Sequence, residues 1–148
     1  MECLVCRALS GEKRISPGPT IYDGRYWVVE HAYPTSLKGW LVIDLKRHAE
    51  ALHELSLEEF RELAEIQHRL AQVMHSYAHS AKEYTMCFSE GQHFEHIHFH
   101  FVPRSADIAQ ELKGFRIFAL LNADEQAAVP EAEVRAFCDE FAEKYMHM

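Results

Sequence analysis

Residues 96–102 read His-Ile-His-Phe-His-Phe-Val, an unbroken alternation of imidazole and apolar side chains. Successive side chains of a β-strand point to opposite faces of its sheet, so this pattern predicts a strand. We expect His96, His98 and His100 on one face, with the apolar residues between them entering the core from the other. The segment therefore predicts a strand that carries a row of imidazoles.

Turn and capping signals place further elements before this strand. Asp23-Gly24 separates two short apolar runs and predicts a tight β-hairpin, because such a turn needs residues that tolerate positive φ. Residues 39–43 predict another strand. Ser56, with Glu59 three residues later, forms a capping box and predicts the start of a helix.

Apolar residues at helical spacing follow this cap and predict one buried stripe: Phe60, Leu63, Leu70, Val73, Met74 and Tyr77. Strands are predicted near 84–88 and 94–102, and a last helix at about 130–146. Strands flank the long helix without βαβ alternation, which predicts an α+β fold with a mainly antiparallel sheet, one long central helix and a C-terminal helix. The 148 residues fit a single domain, with a motif-bearing core over 1–104 and a C-terminal extension over 105–148.

Charge and hydropathy limit the classes of partner. The formal net charge of −8 and the pI near 5.7 argue against a surface that binds a nucleic-acid polymer, although they permit a small phosphorylated ligand. The sequence has neither a secretory signal nor an apolar run of roughly 18 residues, so we expect a cytoplasmic protein without a membrane partner.

A row of imidazoles can bind one metal ion, satisfy buried hydrogen bonds or act on a phosphate. His96 and His100 would lie roughly 13 Å apart along a strand, which disfavours a shared metal because a zinc–nitrogen bond is only about 2.0–2.1 Å long. Polar side chains spaced this closely are seldom buried, which disfavours a row of histidines that only satisfy buried hydrogen bonds. Phosphate chemistry suits the row better, because neutral imidazole is a nucleophile and its protonated neighbour can donate to phosphoryl oxygens. Arg104 follows the strand, where it holds an outer phosphate or is merely solvated.

Cys3 and Cys6 have the Cys-x-x-Cys spacing of zinc knuckles. The spacing alone leaves two alternatives, a pair of buried thiols and a redox pair, although the redox pair lacks its usual strand-to-helix context. Cys87 and Cys138 stand alone in apolar patterns and are expected to be buried.

Two segments resemble the HIT (histidine triad) family. Residues 91–104 resemble the family signature, whose core is His-φ-His-φ-His-φ-φ, and residues 39–48 look like its second block, which ends in Lys-x-His or a similar element. Cys3 and Cys6 lie where many bacterial members carry a cysteine pair. The likeness runs in order from the first residue to about residue 104 and implies a HIT-like fold.

This resemblance implies an enzyme that hydrolyses or transfers a nucleoside monophosphate, typically AMP, from a dinucleoside polyphosphate, a phosphoramidate or a related conjugate. His98 would attack the α-phosphorus and carry the nucleotide covalently, His100 would contact the α-phosphate, and His96 would support the array. Gln92 matches a polar position near the transferred phosphate, and His31 stands where other branches hold an Asn or Asp for the ribose hydroxyls. Most members are homodimers whose sheets join, so a homodimer is expected.

Zinc-bearing bacterial members complete their site with two further histidines, which implies a Zn²⁺ bound by Cys3, Cys6, His48 and His96. Two thiolates and two imidazoles make a closed, structural site rather than a catalytic one. Two other classes of function remain as alternatives: a non-catalytic nucleotide-binding regulatory module, and a hydrolase with a catalytic metal on the triad.

Overall fold

The computed structural model describes residues 2–147, which form an antiparallel sheet with helices. The helices are α1 (Leu4–Leu9), α2 (Leu57–Ala78) and α3 (Glu131–Met146), and the strands are β1 (Tyr22–Asp23), β2 (Trp27–His31), β3 (Leu41–Leu45), β4 (Lys82–Met86) and β5 (His98–Arg104). The five strands lie in the order β1-β2-β3-β5-β4, and each neighbouring pair is antiparallel. The predicted α+β class is confirmed.

The local signals in the sequence correspond to real elements. The Asp23-Gly24 turn joins β1 to β2, with the Gly24 N–H donating to the Trp27 carbonyl at 2.8 Å. The predicted C-terminal helix is α3, and its inner face is buried: Val134, Phe137, Cys138, Phe141 and Tyr145. The strand predicted near 84–88 is β4, which lies two residues earlier.

The capping box of α2 forms as predicted, but one member of the predicted stripe is wrong. The Ser56 N–H donates to Glu59 Oε1 at 2.8 Å, and the Glu59 N–H donates to Ser56 Oγ at 3.1 Å. Phe60 is 38% exposed, whereas Glu59 is only 3% exposed. The first helical turn presents Glu59 inward because Arg47, which follows β3, binds its carboxylate through two hydrogen bonds of 2.9 Å.

The two faces of the sheet are covered differently, and this difference positions the site. Helices α2 and α3 pack on the face that carries Phe99 and Phe101 and form the main core with it. On the other face, a 3-10 helix (Gly114–Leu120) packs Ile117 against Trp40 and Val102. Within the described range 2–147, no helix combines the length and apolar character needed to cross a membrane.

Candidate active site

The second face of the sheet carries a cavity of about 230 Å³ beside the 3-10 segment. His98 and His100 of β5 line it together with Asp44 of β3, which pairs with His98 in the antiparallel register. The end of β2 with residues 32–33, helix α1 and the loops near residues 14–16, 91–94 and 121–122 supply its other walls. As predicted, the alternation of β5 directs its histidines away from the main core.

The imidazole of His98 has a defined tautomer. Its Nδ1 lies 2.7 Å from the carbonyl oxygen of His96, and because a carbonyl only accepts, Nδ1 carries the proton. Nε2 therefore keeps its lone pair. Burial lowers the pKa of His98 below its ordinary value, so the ring is neutral and nucleophilic at neutral pH.

His100 is held in the opposite neutral tautomer by a different partner. The indole Nε1–H of Trp40 donates to His100 Nδ1 at 3.0 Å, and indole nitrogen cannot accept. Nε2 of His100 must then carry the ring proton. Burial, with a smaller contribution from His98, lowers the pKa of His100 to about 4. His100 is thus a neutral hydrogen-bond donor rather than a cation.

His96 departs from the predicted row, because β5 begins only at His98. The chain before it is bent: the His96 N–H donates to the Phe94 carbonyl at 2.8 Å, and the Ile97 N–H donates to Ala49. The expectation that all three histidines share one strand face is therefore wrong. His96 is fully buried on the side of α1, and its Nε2–H donates to the Leu45 carbonyl at 2.6 Å.

His96 meets the other predicted metal ligands instead. One ligand atom from each of four residues lies within 4.8 Å of the others: Cys3, Cys6, His48 and His96. His96 Nδ1 is 3.4 Å from Cys3 Sγ, 3.5 Å from Cys6 Sγ and 3.2 Å from His48 Nδ1. A tetrahedral ion with bonds of about 2.0–2.3 Å separates its ligand atoms by roughly 3.3–3.8 Å, so the cluster has the size of a zinc site.

The groups behind these ligands support the same fit. His96 uses Nε2 on Leu45, and His48 Nε2 lies 2.9 Å from a carboxylate oxygen of Glu50. Each ring therefore directs the lone pair of Nδ1 at the two sulfurs, as metal-bound histidines do when their second nitrogen is anchored. Cys3 caps α1, which brings Cys6 one helical turn away on the same side.

Among the remaining predicted contacts of the substrate, His31 borders the cavity, but its ring is already bonded within the fold. His31 is 1% exposed, and both of its ring nitrogens are occupied: Nδ1 by the Ala32 carbonyl at 2.7 Å and Nε2 by the Gly39 N–H at 2.9 Å. Its ring packs on Phe137, on the helix side of the sheet. Gln92 is exposed in the turn before β5, and neither it nor Arg104 lines the cavity that the described residues form.

Two residues of the site were missed by the sequence interpretation: Asp44, which lines the cavity, and Trp40, which lies behind His100. Asp44 is a charged residue inside the apolar run Leu41–Leu45, a signal that points to the cavity only once the β3–β5 register is known. Trp40 was predicted only as part of the strand over residues 39–43. Its contact with His100 joins residues 60 positions apart, for which no local signal exists.

The fold and the site together define an α+β protein with paired histidines at a cavity in its sheet. The family model of the HIT domain matches residues 16–107, more than half of the chain, so the chain belongs to the HIT family. No curated protein matches the chain significantly in sequence.

Solved structures of histidine triad proteins share the fold. A hypothetical histidine triad nucleotide-binding protein from Sulfolobus tokodaii has a TM-score of 0.72 at 14% identity, covering 98% of this chain and 93% of its own. A zinc-bound histidine triad family protein from Mycobacterium smegmatis has a TM-score of 0.63 at 20% identity, covering 95% and 96%. Diadenosine triphosphate hydrolase from Plasmodium falciparum has a TM-score of 0.60 at 16% identity, covering 85% and 78%. At these identities the likeness shows the fold alone.

Proposed function

We propose that this protein is an enzyme that releases a nucleoside monophosphate, with AMP as the first candidate, from a dinucleoside polyphosphate, a phosphoramidate or a related conjugate. One observation carries the proposal: two neutral imidazoles with opposite roles face one cavity. His98 offers the lone pair of Nε2, and His100 offers an Nε2–H. The hydrolase among the similar structures supports this class of reaction.

The reaction follows from these two tautomers. His98 Nε2 attacks the α-phosphorus as the bond to the leaving group breaks, which forms a nucleotidyl–histidine intermediate. Because the transition state spreads negative charge over the non-bridging oxygens, the His100 Nε2–H stabilises it. A water molecule then attacks phosphorus and loses a proton to solvent, the nitrogen–phosphorus bond breaks, and its electron pair returns to His98 Nε2.

The histidine substitution tests this mechanism directly. We expect the protein to release AMP from diadenosine tetraphosphate, ADP or adenosine 5′-phosphoramidate, measured by liquid chromatography, and His98→Ala to abolish the release. His68→Ala is the matched control, since His68 is exposed on α2. Both variants should keep the circular dichroism of the parent. Saturable AMP binding without turnover of any substrate would instead indicate a regulatory binding module.

We further propose that Cys3, Cys6, His48 and His96 hold a structural Zn²⁺. When bound, the ion ties the N-terminal helix to the segments that precede α2 and β5. Its ligand His96 also supplies the carbonyl that accepts from His98 Nδ1, so the metal site fixes the backbone that sets the nucleophile's tautomer. A zinc-bound relative supports this choice of ion.

We also propose that the protein is a homodimer. Strand β4 is an outer strand of the sheet, and edge strands offer hydrogen-bonding groups to another chain. Phe88, shortly after β4, is 66% exposed and rests on Phe118 of the 3-10 segment. Sedimentation analysis should give about twice the 17.2 kDa mass of the chain. A monomer at micromolar concentration would contradict this proposal.

A further inference from the structure

Asp44 is the one acidic side chain of the cavity that the proposed reaction leaves without a role and that has no partner among the described residues. It is only 9% exposed, yet it makes no hydrogen bond and no ion pair within residues 2–147. Buried carboxyl groups are normally paired or hydrogen-bonded. An unpartnered carboxyl on the wall of a cavity therefore indicates a group that bonds to whatever occupies the cavity.

The position of Asp44 points to the phosphoryl group. Asp44 on β3 stands directly opposite His98 on β5, on the same face of the sheet. Side chains of directly paired residues in antiparallel strands begin about 4.5–5.5 Å apart. A phosphoryl group under attack by His98 thus lies within reach of the Asp44 carboxyl.

The charges around Asp44 decide its protonation state. Six titratable residues line the cavity besides Asp44: Arg14, Glu30, His31, Tyr33, His98 and His100. The His31 ring packs on Phe137 and Tyr33 packs against the main core, so neither changes the charge around Asp44. Arg14 is engaged by Glu30 at 3.1 Å and by the Gly18 carbonyl at 2.8 Å, so it leaves Asp44 without a counter-ion. Glu30 adds a like charge, and His98 and His100 are neutral.

An ionised Asp44 would also repel the phosphate of a bound nucleotide. Burial, reinforced by Glu30, raises the pKa of Asp44 to about 7, and a neighbouring phosphate favours the protonated form further. A protonated carboxyl is a hydrogen-bond donor, which suits phosphoryl oxygens.

We propose that Asp44 is a hydrogen-bond donor of the phosphate site. Its protonated carboxylic acid donates to a non-bridging oxygen of the bound phosphoryl group. Asp44 and His100 would then stabilise the developing negative charge together, without a cation. The inference rests on the proposed nucleotidyl chemistry, because it assumes that the phosphoryl group binds at His98.

A different role for Asp44 makes the opposite prediction. If the carboxylate were an acceptor for a hydroxyl or amino group of the ligand, binding would strengthen as pH rises and Asp44 ionises. A protonated donor instead requires that binding weaken over the same range. The sign of the pH dependence therefore separates the two roles.

The experiment measures turnover and binding of adenosine 5′-phosphoramidate from pH 6 to pH 9, a range in which its phosphoryl group keeps one negative charge. For the unmodified protein, we expect kcat/KM to fall about tenfold or more between pH 7 and pH 9. For Asp44→Asn, which keeps a donor and cannot ionise, kcat/KM should change less than about threefold. Asp44→Ala, which lacks the donor, should be about tenfold less active than Asp44→Asn at pH 6.

Binding is measured separately in His98→Ala, which holds the substrate uncleaved. The Kd should rise with pH in this background and stay nearly constant when Asp44→Asn is added. If the pH dependence is the same with and without Asp44→Asn, or if Kd falls as pH rises, the inference about Asp44 is overturned. If the binding pattern holds but no protein releases AMP, only the proposed catalysis fails. Asp107→Asn, an exposed loop position, is the matched control and should follow the unmodified profile.

Discussion

At the residue scale, the Nδ1 partners of the two cavity histidines assign their roles. His98 donates to a carbonyl and keeps a nucleophilic nitrogen, whereas His100 accepts from an indole and becomes a donor. The alternation of residues 98–101 predicted the face of these two side chains. The contact of Trp40 with His100 and the place of Asp44 opposite His98 could not be predicted, because both arise from strand register rather than from neighbouring positions.

Trp40→Phe tests the tautomer of His100. The change keeps an aromatic ring beside His100 and Phe118 but removes the donor that stabilises neutral His100. A lost hydrogen bond of roughly 1 kcal/mol should raise the pKa of His100, which is about 4, by about one pH unit, as measured by NMR titration of the imidazole. Trp27→Phe is the matched control, because Trp27 is equally buried and donates to Glu59. An equal change in the pKa of His100 on both substitutions would contradict the tautomer assigned to His100.

Asp44 should also lower the free energy of unfolding at alkaline pH. Its pKa is about 7 in the folded chain and 3.8 ordinarily, so the folded state holds the extra proton between these values and stability falls as pH rises through them. Above pH 7 the loss levels off. Asp44→Asn should therefore raise the free energy of unfolding at pH 8 by on the order of 3 kcal/mol, and far less at pH 4. Urea unfolding at the two pH values measures this, and an equal effect at both would contradict the buried, proton-binding Asp44.

At the scale of elements, local signals predicted where helices begin better than which residue points inward. Ser56 and Glu59 marked the start of α2, but helical periodicity placed Phe60 in the core, where Glu59 lies instead. The periodicity could not include Arg47, which reaches Glu59 from the segment after β3. In the same way, alternation extended β5 back to residue 94, although backbone bonds to residues near 45 and 49 bend the chain there.

The Arg47–Glu59 pair should make α2 sensitive to acid. Arg47 lowers the pKa of Glu59 to about 2, and a depressed folded-state pKa gives stability that is present above the ordinary value of 4.5 and is lost as pH falls toward 2. Glu59→Gln should cost about 1–3 kcal/mol at pH 7 in thermal or urea unfolding, with a smaller cost below pH 3. Glu58→Gln, in the same helical turn but 60% exposed, should change stability by less than about 0.5 kcal/mol. A cost that does not depend on pH would show that the ion pair is not its source.

At the scale of the whole molecule, the motif-bearing part was predictable and residues 103–130 were not. The 3-10 segment there has no helical or strand periodicity, because its form is set by packing Ile117 and Phe118 onto the second face of the sheet. The metal cluster could be predicted only in part. Its four residues could be named by resemblance, but only the bend before β5 shows how His96 leaves the row and reaches Cys3 and Cys6.

The cluster joins positions 3, 6, 48 and 96, so metal binding should contribute to the stability of the whole fold. Cys6→Ser removes one thiolate, and we expect the zinc content, measured by mass spectrometry, to fall from about one ion per chain to a small fraction of that. Without the metal, the free energy of unfolding should fall by at least about 3 kcal/mol, which should lower Tm by roughly 6–12 °C. Cys87→Ser, a half-buried cysteine outside the cluster, is the matched control and should keep both the zinc and the Tm.

Chelation then separates a structural from a catalytic ion. Because His98 and His100 face the cavity while His96 turns to the cluster, a structural ion stabilises the backbone behind the nucleophile without meeting the substrate. Treatment with a strong chelator should therefore lower activity and Tm in parallel. Activity that disappears while Tm is unchanged would place the metal in the reaction itself, and a chain that never binds zinc would contradict the cluster's proposed role.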